Sequence, residues 1–158
     1  MRRAFVCVIL FCCAMPAMAE DVGSILRKRY DSLNAAQKKN DIRSIEKWFK
    51  AHCTGDFTYT SKDKNKYKLV DFLNGLRDQA RITKKVDGSS LSVATVSLTA
   101  SKAVLTTKSD YKAWVAFQGA SLNVTDKSQT QEVWVKVSGQ WKLRSIVQTA
   151  SETQMFQR

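Results

Sequence analysis

Apolar positions recur at helical steps in the first part of the chain and at alternate positions in the rest. Between Glu20 and Lys39, Val22, Leu26, Tyr30 and Leu33 fall three and four residues apart, with Ile25 on the same side. That stripe, with Arg27, Lys28, Asp31, Lys38 and Lys39 mostly elsewhere, predicts an amphipathic helix. Asn40-Asp41 then reads as a break and a fresh N-cap. Ile42, Ile45, Trp48 and Phe49 form a second, shorter apolar face, so the two segments predict a helical hairpin. His52 to Gly55 reads as a loop. Asp56 to Ser61 alternates, with Phe57 and Tyr59 on one side, and predicts a short strand. A polar turn over Lys62 to Lys66 leads to a third helix over Lys68 to Ala80, with Leu69, Phe72, Leu73 and Leu76 facing inward.

After Arg81, β-branched residues dominate. Strands are expected over Leu91–Thr99, Lys102–Lys108, Tyr111–Phe117, Gln129–Val137 and Gln140–Gln148. Gly119 to Asp126 reads as a loop, Ser138-Gly139 as a hairpin turn, and Thr149 to Arg158 as a tail without pattern. Helices first and antiparallel strands afterwards argue an α+β domain.

The first residues change the size of that domain. Arg2 and Arg3 precede an uncharged apolar run from Ala4 to Met15, which Pro16 breaks before Ala17-Met18-Ala19. This is the layout of a secretory signal cut after Ala19. The run is shorter than the ~20 apolar residues a membrane-spanning helix needs. The expected product is one domain over 20–158, exported to a periplasm or beyond, with no membrane span after cleavage. Of four cysteines only Cys53 remains in it, so it forms no internal disulfide and relies on its core.

Charge adds a possible partner. Without the signal, 24 basic residues face 14 acidic ones, a net charge of +10. The lysines are scattered apart from Lys62, Lys64, Lys66 and Lys68. No arginine-rich run or aromatic nucleic-acid motif accompanies them, so nucleic acid is not the expected partner. A lysine-rich soluble surface is the plain reading. An acidic protein, as in an immunity protein neutralising an acidic toxin, or a cell-wall polymer is the partner such a cluster would suit.

Certain residues carry a resemblance. They are Arg29-Tyr30 and Ser32-Leu33-Asn34-Ala35 in the first helix, and Asp41-Ile42 and Trp48-Phe49 in the second. With them stand Asp56-Phe57-Thr58-Tyr59, Val133-Trp134-Val135-Lys136, Ser138-Gly139 and Trp141-Lys142-Leu143. In this order the chain from Glu20 to Gln148 resembles the nuclear transport factor 2-like superfamily, in its SnoaL-like and ketosteroid isomerase-like branch. The resemblance implies a cone: a curved antiparallel sheet packed on the N-terminal helical hairpin and a third helix, and this domain is expected to be a homodimer through its sheet. Members bind small apolar molecules, catalyse isomerisation or hydrolysis, or serve as noncatalytic modules, so fold alone assigns no function.

Isomerase chemistry needs a carboxylate base and a donor pair made from a tyrosine and a protonated acid. The resemblance puts Tyr30 at the tyrosine position and Glu132 roughly at the second acid. The base would fall near Thr60 or Ser61, where no acid stands, and Asp63 is out of phase. Tyr30 is therefore carried as a pocket donor, against the plain alternative of a core tyrosine. His52 beside Cys53 makes no nucleophile–base pair, because neighbours on extended chain point apart. One histidine and one cysteine make no metal site, and no cofactor motif is present. The expectation is a noncatalytic binding module whose pocket is lined by Tyr30, Trp48, Phe57, Tyr59, Trp114, Glu132 and Trp134, for a small apolar ligand or a protein partner. The rival is an isomerase- or hydrolase-type enzyme using Tyr30 with Asp63 or Glu132.

Overall fold

The computed structural model describes residues 22–157, with the side chain of Gln157 excepted. The expected signal segment lies outside the described residues. Helix α1 (Val22–Lys38) and helix α2 (Ile42–His52) form the predicted hairpin. The turn between them is chemically explicit. Asn40 takes a positive φ of 51°. The Asp41 N–H donates to Ala36 O at 3.0 Å and the Asn40 N–H to Gln37 O at 3.0 Å. These two bonds close a Schellman end on α1. Asp41 then caps α2, its carboxylate accepting from the Ser44 N–H at 3.1 Å.

Strand β1 (Cys53–Thr60) follows without a loop, so the expected loop over His52–Gly55 is corrected: His52 ends α2 and Cys53 opens β1. Strand β2 (Lys66–Lys68) and helix α3 (Leu69–Ile82) come next. Four long strands complete the chain: β3 (Thr83–Leu98), β4 (Lys102–Phe117), β5 (Ala120–Val137) and β6 (Gln140–Gln157). The six strands form one open sheet in the order β2-β1-β6-β5-β4-β3. It is antiparallel except where β1 runs parallel to β6, an exception that periodicity could not reveal.

The strands are longer than their local pattern suggests. The expected loop over 119–126 is corrected: residues 120–126 are strand. Gln118 and Gly119, at φ 50° and 81°, make a two-residue turn, and β5 starts at once. Such turns match the strand twist and let β4 run directly into its partner. Residues 149–157 are likewise strand, drawn in by pairing with β5 from Gln129↔Ala150 to Leu122↔Gln157. Register shifts at Gln129/Thr130 and Val133/Trp134 bend the sheet around the helices.

The core lies between the helices and the concave side of this sheet. Leu26, Tyr30 and Leu33 from α1 and Ile45, Trp48 and Phe49 from α2 pack with Leu73 of α3 against Leu105, Trp134 and Leu143. The largest fully buried side chains among the described residues are Trp134, Phe57, Leu26, Leu105 and Leu143. The apolar stripe read from 22–33 is thus the face that meets the sheet.

Candidate ligand-binding site

A polar cluster sits inside this apolar core. Helical spacing from Leu26 to Leu33 aims Tyr30 at the sheet, and strand alternation aims Glu132 and Trp134 at the helices. The Tyr30 hydroxyl and Glu132 Oε2 meet in a short hydrogen bond. Trp134 Nε1–H reaches Tyr30 Oη at 3.2 Å and Glu132 Oε2 at 3.3 Å. On the other carboxyl oxygen, Thr107 Oγ1 and Thr130 Oγ1 lie 3.1 and 3.2 Å from Oε1, and 2.6 Å from each other. Glu132 is only 4% exposed. Burial pushes its carboxyl up to about 8, opposed by the indole N–H of Trp134. Glu132 is therefore mainly a neutral acid at pH 7.

A stack of aromatic rings holds the cluster in place. Tyr30 lies 5.4 Å from Trp48 and 6.0 Å from Trp134, centroid to centroid. Trp48 Nε1–H donates to Arg29 O at 2.9 Å. The Arg29 guanidinium lies 5.7 Å from the Trp134 ring centroid and donates to Trp141 O at 2.8 Å. His52 stacks on Trp48 at 4.6 Å, and burial lowers its pKa.

Above the cluster is a cavity of about 160 Å³. Tyr30, Glu132, Thr107 and Thr130 make its floor, and Leu33, Trp48, Phe49, Phe72, Leu91, Leu143 and Ile146 supply apolar wall. Tyr59 and Gln148 also line it, joined by a 3.1 Å bond from the Tyr59 hydroxyl to Gln148 Oε1. Ser109, Ser128 and Gln37 complete it. A cavity near 150 Å³ is the size that takes a single benzene ring.

Of the residues expected at the pocket, Tyr30, Trp48, Tyr59 and Glu132 line this cavity. Trp134 lies beneath it and supplies the indole N–H. Phe57 lies one layer back, its ring 5.9 Å from that of Phe72. Trp114 is a correction. Its neighbours Ala113 and Val115 are buried toward the helices, so alternation turns Trp114 to the other face of the sheet, where its indole bonds Asp87. Thr107 and Thr130 were missed. The available signal was parity: each is two residues along its strand from an inward side chain, Leu105 or Glu132.

Asp63 is exposed on the β1–β2 turn and does not reach the cluster. Lys62, Lys64, Lys66 and Lys68 are exposed on that turn and on β2. Burial raises the Cys53 thiol to about 12, which removes it as a nucleophile at neutral pH. Among the described residues no group of three His, Cys, Asp or Glu side chains could hold a metal ion. No helix among them is long and apolar enough to cross a membrane.

Three helices laid across an open, curved six-stranded sheet, with a polar floor under an apolar cavity, define a class of α+β cone. The class is the nuclear transport factor 2-like fold, and the solved structures similar to this chain carry it. An NTF2-like protein from Rhodospirillum rubrum, of unknown function in nutrient uptake, superposes with a TM-score of 0.57 at 15% identity, over 79% of this chain and 97% of that one. A candidate scytalone dehydratase from Novosphingobium aromaticivorans gives 0.62 at 11% identity, over 80% and 83%. A hexachlorocyclohexane dehydrochlorinase gives 0.58 at 11%, over 83% and 87%. No family model and no curated protein sequence matches the chain. At such identities the likeness establishes the fold alone.

Proposed function

We propose that this protein is an exported binding module that holds a small apolar molecule, the size of one ring, in the cavity above Tyr30 and Glu132. The observation that carries the reading is a ring-sized cavity among the core side chains. Protein interiors pack with few voids larger than a water molecule, and this cavity of about 160 Å³ is walled by leucine, isoleucine and aromatic side chains. An apolar wall with a few convergent polar groups is the usual make-up of a small-molecule site. Export is supported by the basic start, apolar run and Ala17-Met18-Ala19 pattern of the N-terminus.

The test is native mass spectrometry of residues 20–158 purified gently from the exported fraction of the native host. The expected result is a reproducible small mass that is lost when Ile146→Trp fills the cavity. A protein free of any small mass, which also fails to take up single-ring compounds at millimolar concentration, refutes the reading. The same spectrum reports whether the domain is a dimer.

A second reading, elimination or isomerisation in the same cavity, is favoured by one observation: Tyr30 and Glu132 converge there. Two proteins of similar fold are described as a dehydratase and a dehydrochlorinase. Against it, no ionised carboxylate faces the floor, since Asp63 lies on the exposed turn and buried Glu132 is mainly neutral. Turnover that disappears in Tyr30→Phe would replace the binding reading with this one.

A further inference from the structure

The concave face of the sheet changes character along its length. Its inward positions fall in cross-strand rows. One row joins Leu91, Ser109, Ser128 and Ser151, and the next joins Ser89, Tyr111, Asp126 and Thr153. Over these polar rows lies a second cavity, of about 170 Å³, between the sheet, the α1–α2 turn and α3. Gln37 and Ser109 line both cavities, so the two adjoin. Where the first presents mostly apolar wall, the second presents Gln37, Gln79, Ser89, Ser109, Tyr111 and Asp126.

Asp126 stands out in that set. Residues 20–158 carry 24 basic and 14 acidic side chains, yet among the described residues no ion pair includes Asp126. Lys127, next to it on β5, and Lys112, next to Tyr111 on β4, are exposed and alternate to the other face of the sheet. Thr153 donates to Asp126 Oδ1 at 2.6 Å, and among the described residues no hydrogen bond reaches Oδ2. Ser89 donates its hydrogen to Asn34 Oδ1 at 3.1 Å, so its oxygen meets a ligand as an acceptor. The Asp126 charge is also felt in the first cavity: after burial, it is the chief cause that raises the Tyr59 hydroxyl above its usual 10.

We propose that the second cavity is the polar end of the ligand site, and that the ligand is a ring seated in the first cavity with a short arm whose terminal ammonium group pairs with Asp126. This rests on the ligand-site reading above. An ammonium has three donors and no acceptor. The second cavity meets it with a carboxylate, hydroxyl oxygens and two side-chain amide oxygens. The length of the arm follows from the strand. Asp126 stands two residues along β5 from Ser128, which lines the first cavity, and two residues of strand span ~7 Å. A propyl chain and one hydrogen bond cover that distance. A neutral arm leaves the carboxylate charge unmatched, and an anionic arm meets repulsion. The pair of cavities therefore selects arylalkylamines over plain arenes and aryl acids.

The probes are propylbenzene, 3-phenylpropan-1-ol, 3-phenylpropylamine and 3-phenylpropionate, which share the ring and differ at the end of the arm. Their dissociation constants are measured on the whole protein by saturation-transfer NMR at pH 7. The amine is expected to bind roughly tenfold more tightly than the alcohol, the ratio one net charge-assisted hydrogen bond gives. The acid is expected to bind more weakly than the alcohol. Both preferences run against the net positive charge of the protein, so non-specific attraction cannot produce them. Asp126→Asn should bring the amine to the level of the alcohol and leave the alcohol unchanged, which also shows that the variant is folded. Ile146→Trp, which fills the first cavity, should remove both. An amine that binds no better than the alcohol, an acid that binds better than either, a preference that survives Asp126→Asn, or amine binding untouched by Ile146→Trp overturns the proposal. Propylbenzene binding with no preference for the amine leaves the ligand-site reading standing and removes only this inference. If no probe binds at millimolar concentration, that reading falls, and this proposal with it.

Discussion

Replacing Glu132 by glutamine should make the protein more stable at alkaline pH and leave it nearly unchanged at pH 5. In the unfolded chain the carboxyl loses its proton near 4.5, whereas burial holds it in the folded protein up to about 8. Between those values the unfolded state releases a proton that the folded state retains, so stability falls as pH rises. Below 4.5 both states are protonated and above about 8 both are ionised, so the contribution is flat outside the window. The interval from 4.5 to about 8, at ~1.4 kcal/mol per pH unit, sets an upper bound of about 5 kcal/mol. The Trp134 N–H is already counted in the value of about 8; the threonine hydroxyls favour the anion and reduce the amplitude further. A difference of ~2–4 kcal/mol is therefore expected, given that a hydrogen bond to a charged group contributes roughly 1.5–3 kcal/mol.

The assay is urea unfolding of wild type and Glu132→Gln at pH 5, 6, 7, 8 and 9, read as the difference between the two stability curves. Other titrating groups cancel in that difference. The curves should agree within ~1 kcal/mol at pH 5 and diverge in favour of glutamine as pH rises. Parallel curves would refute the reasoning. They would mean that the donors around the carboxylate outweigh its burial and that Glu132 is ionised throughout.

Other expectations follow from single positions. Cys53, with its thiol raised to about 12, should react with iodoacetamide at pH 8 at least ~100-fold more slowly in the folded protein than in urea; equal rates would place it at an open surface. Leu105→Ala, at a fully buried site between Ala103 and Thr107 on β4, should lower stability by ~2–5 kcal/mol in the same unfolding assay. Gly139→Ala forces a side chain to φ 80° in the β5–β6 turn and should lower stability by ~1 kcal/mol, although nothing crowds the added Cβ. Trp114→Phe should leave a ligand-induced fluorescence change intact, because that ring lies on the sheet face away from the cavity, whereas Trp48→Phe should diminish it.

The helical part of the fold was legible because its signals are local. Leu26, Tyr30 and Leu33 announce a buried stripe, and Asn40-Asp41 announces an end and a cap within two residues. The sheet was legible only where alternation was strong, as at Val133 to Val137. Residues 119–126 and 149–157 contain few β-formers and read as loop and tail. From Ala120 the first is strand because it pairs with β4 and, from Leu122 on, with β6; the second is strand because it pairs with residues 122–129 of β5. Strand preference measures fit to a partner more than an intrinsic tendency of the backbone, so a segment whose partner is distant in sequence gives no sign of its own. Trp114 failed for a related reason. An aromatic residue in a strand looks like a wall of the core until parity is counted from Ala113 and Val115.

The site divides in the same way. Tyr30 and Glu132 stand 102 residues apart, and only the resemblance to a known fold put them together before the structure did. Thr107 and Thr130 had no such guide, yet they decide how the carboxyl is bonded. Each replaces an apolar residue at an inward position of a strand, and each is tolerable there because the other hydroxyl and Glu132 Oε1 satisfy it. A buried polar group is stable only with its partners. The two threonines, the glutamate, the tyrosine and the tryptophan therefore form one network in which replacing one member changes the hydrogen available to the rest. For that reason the pH dependence of stability should report the whole floor and not Glu132 alone.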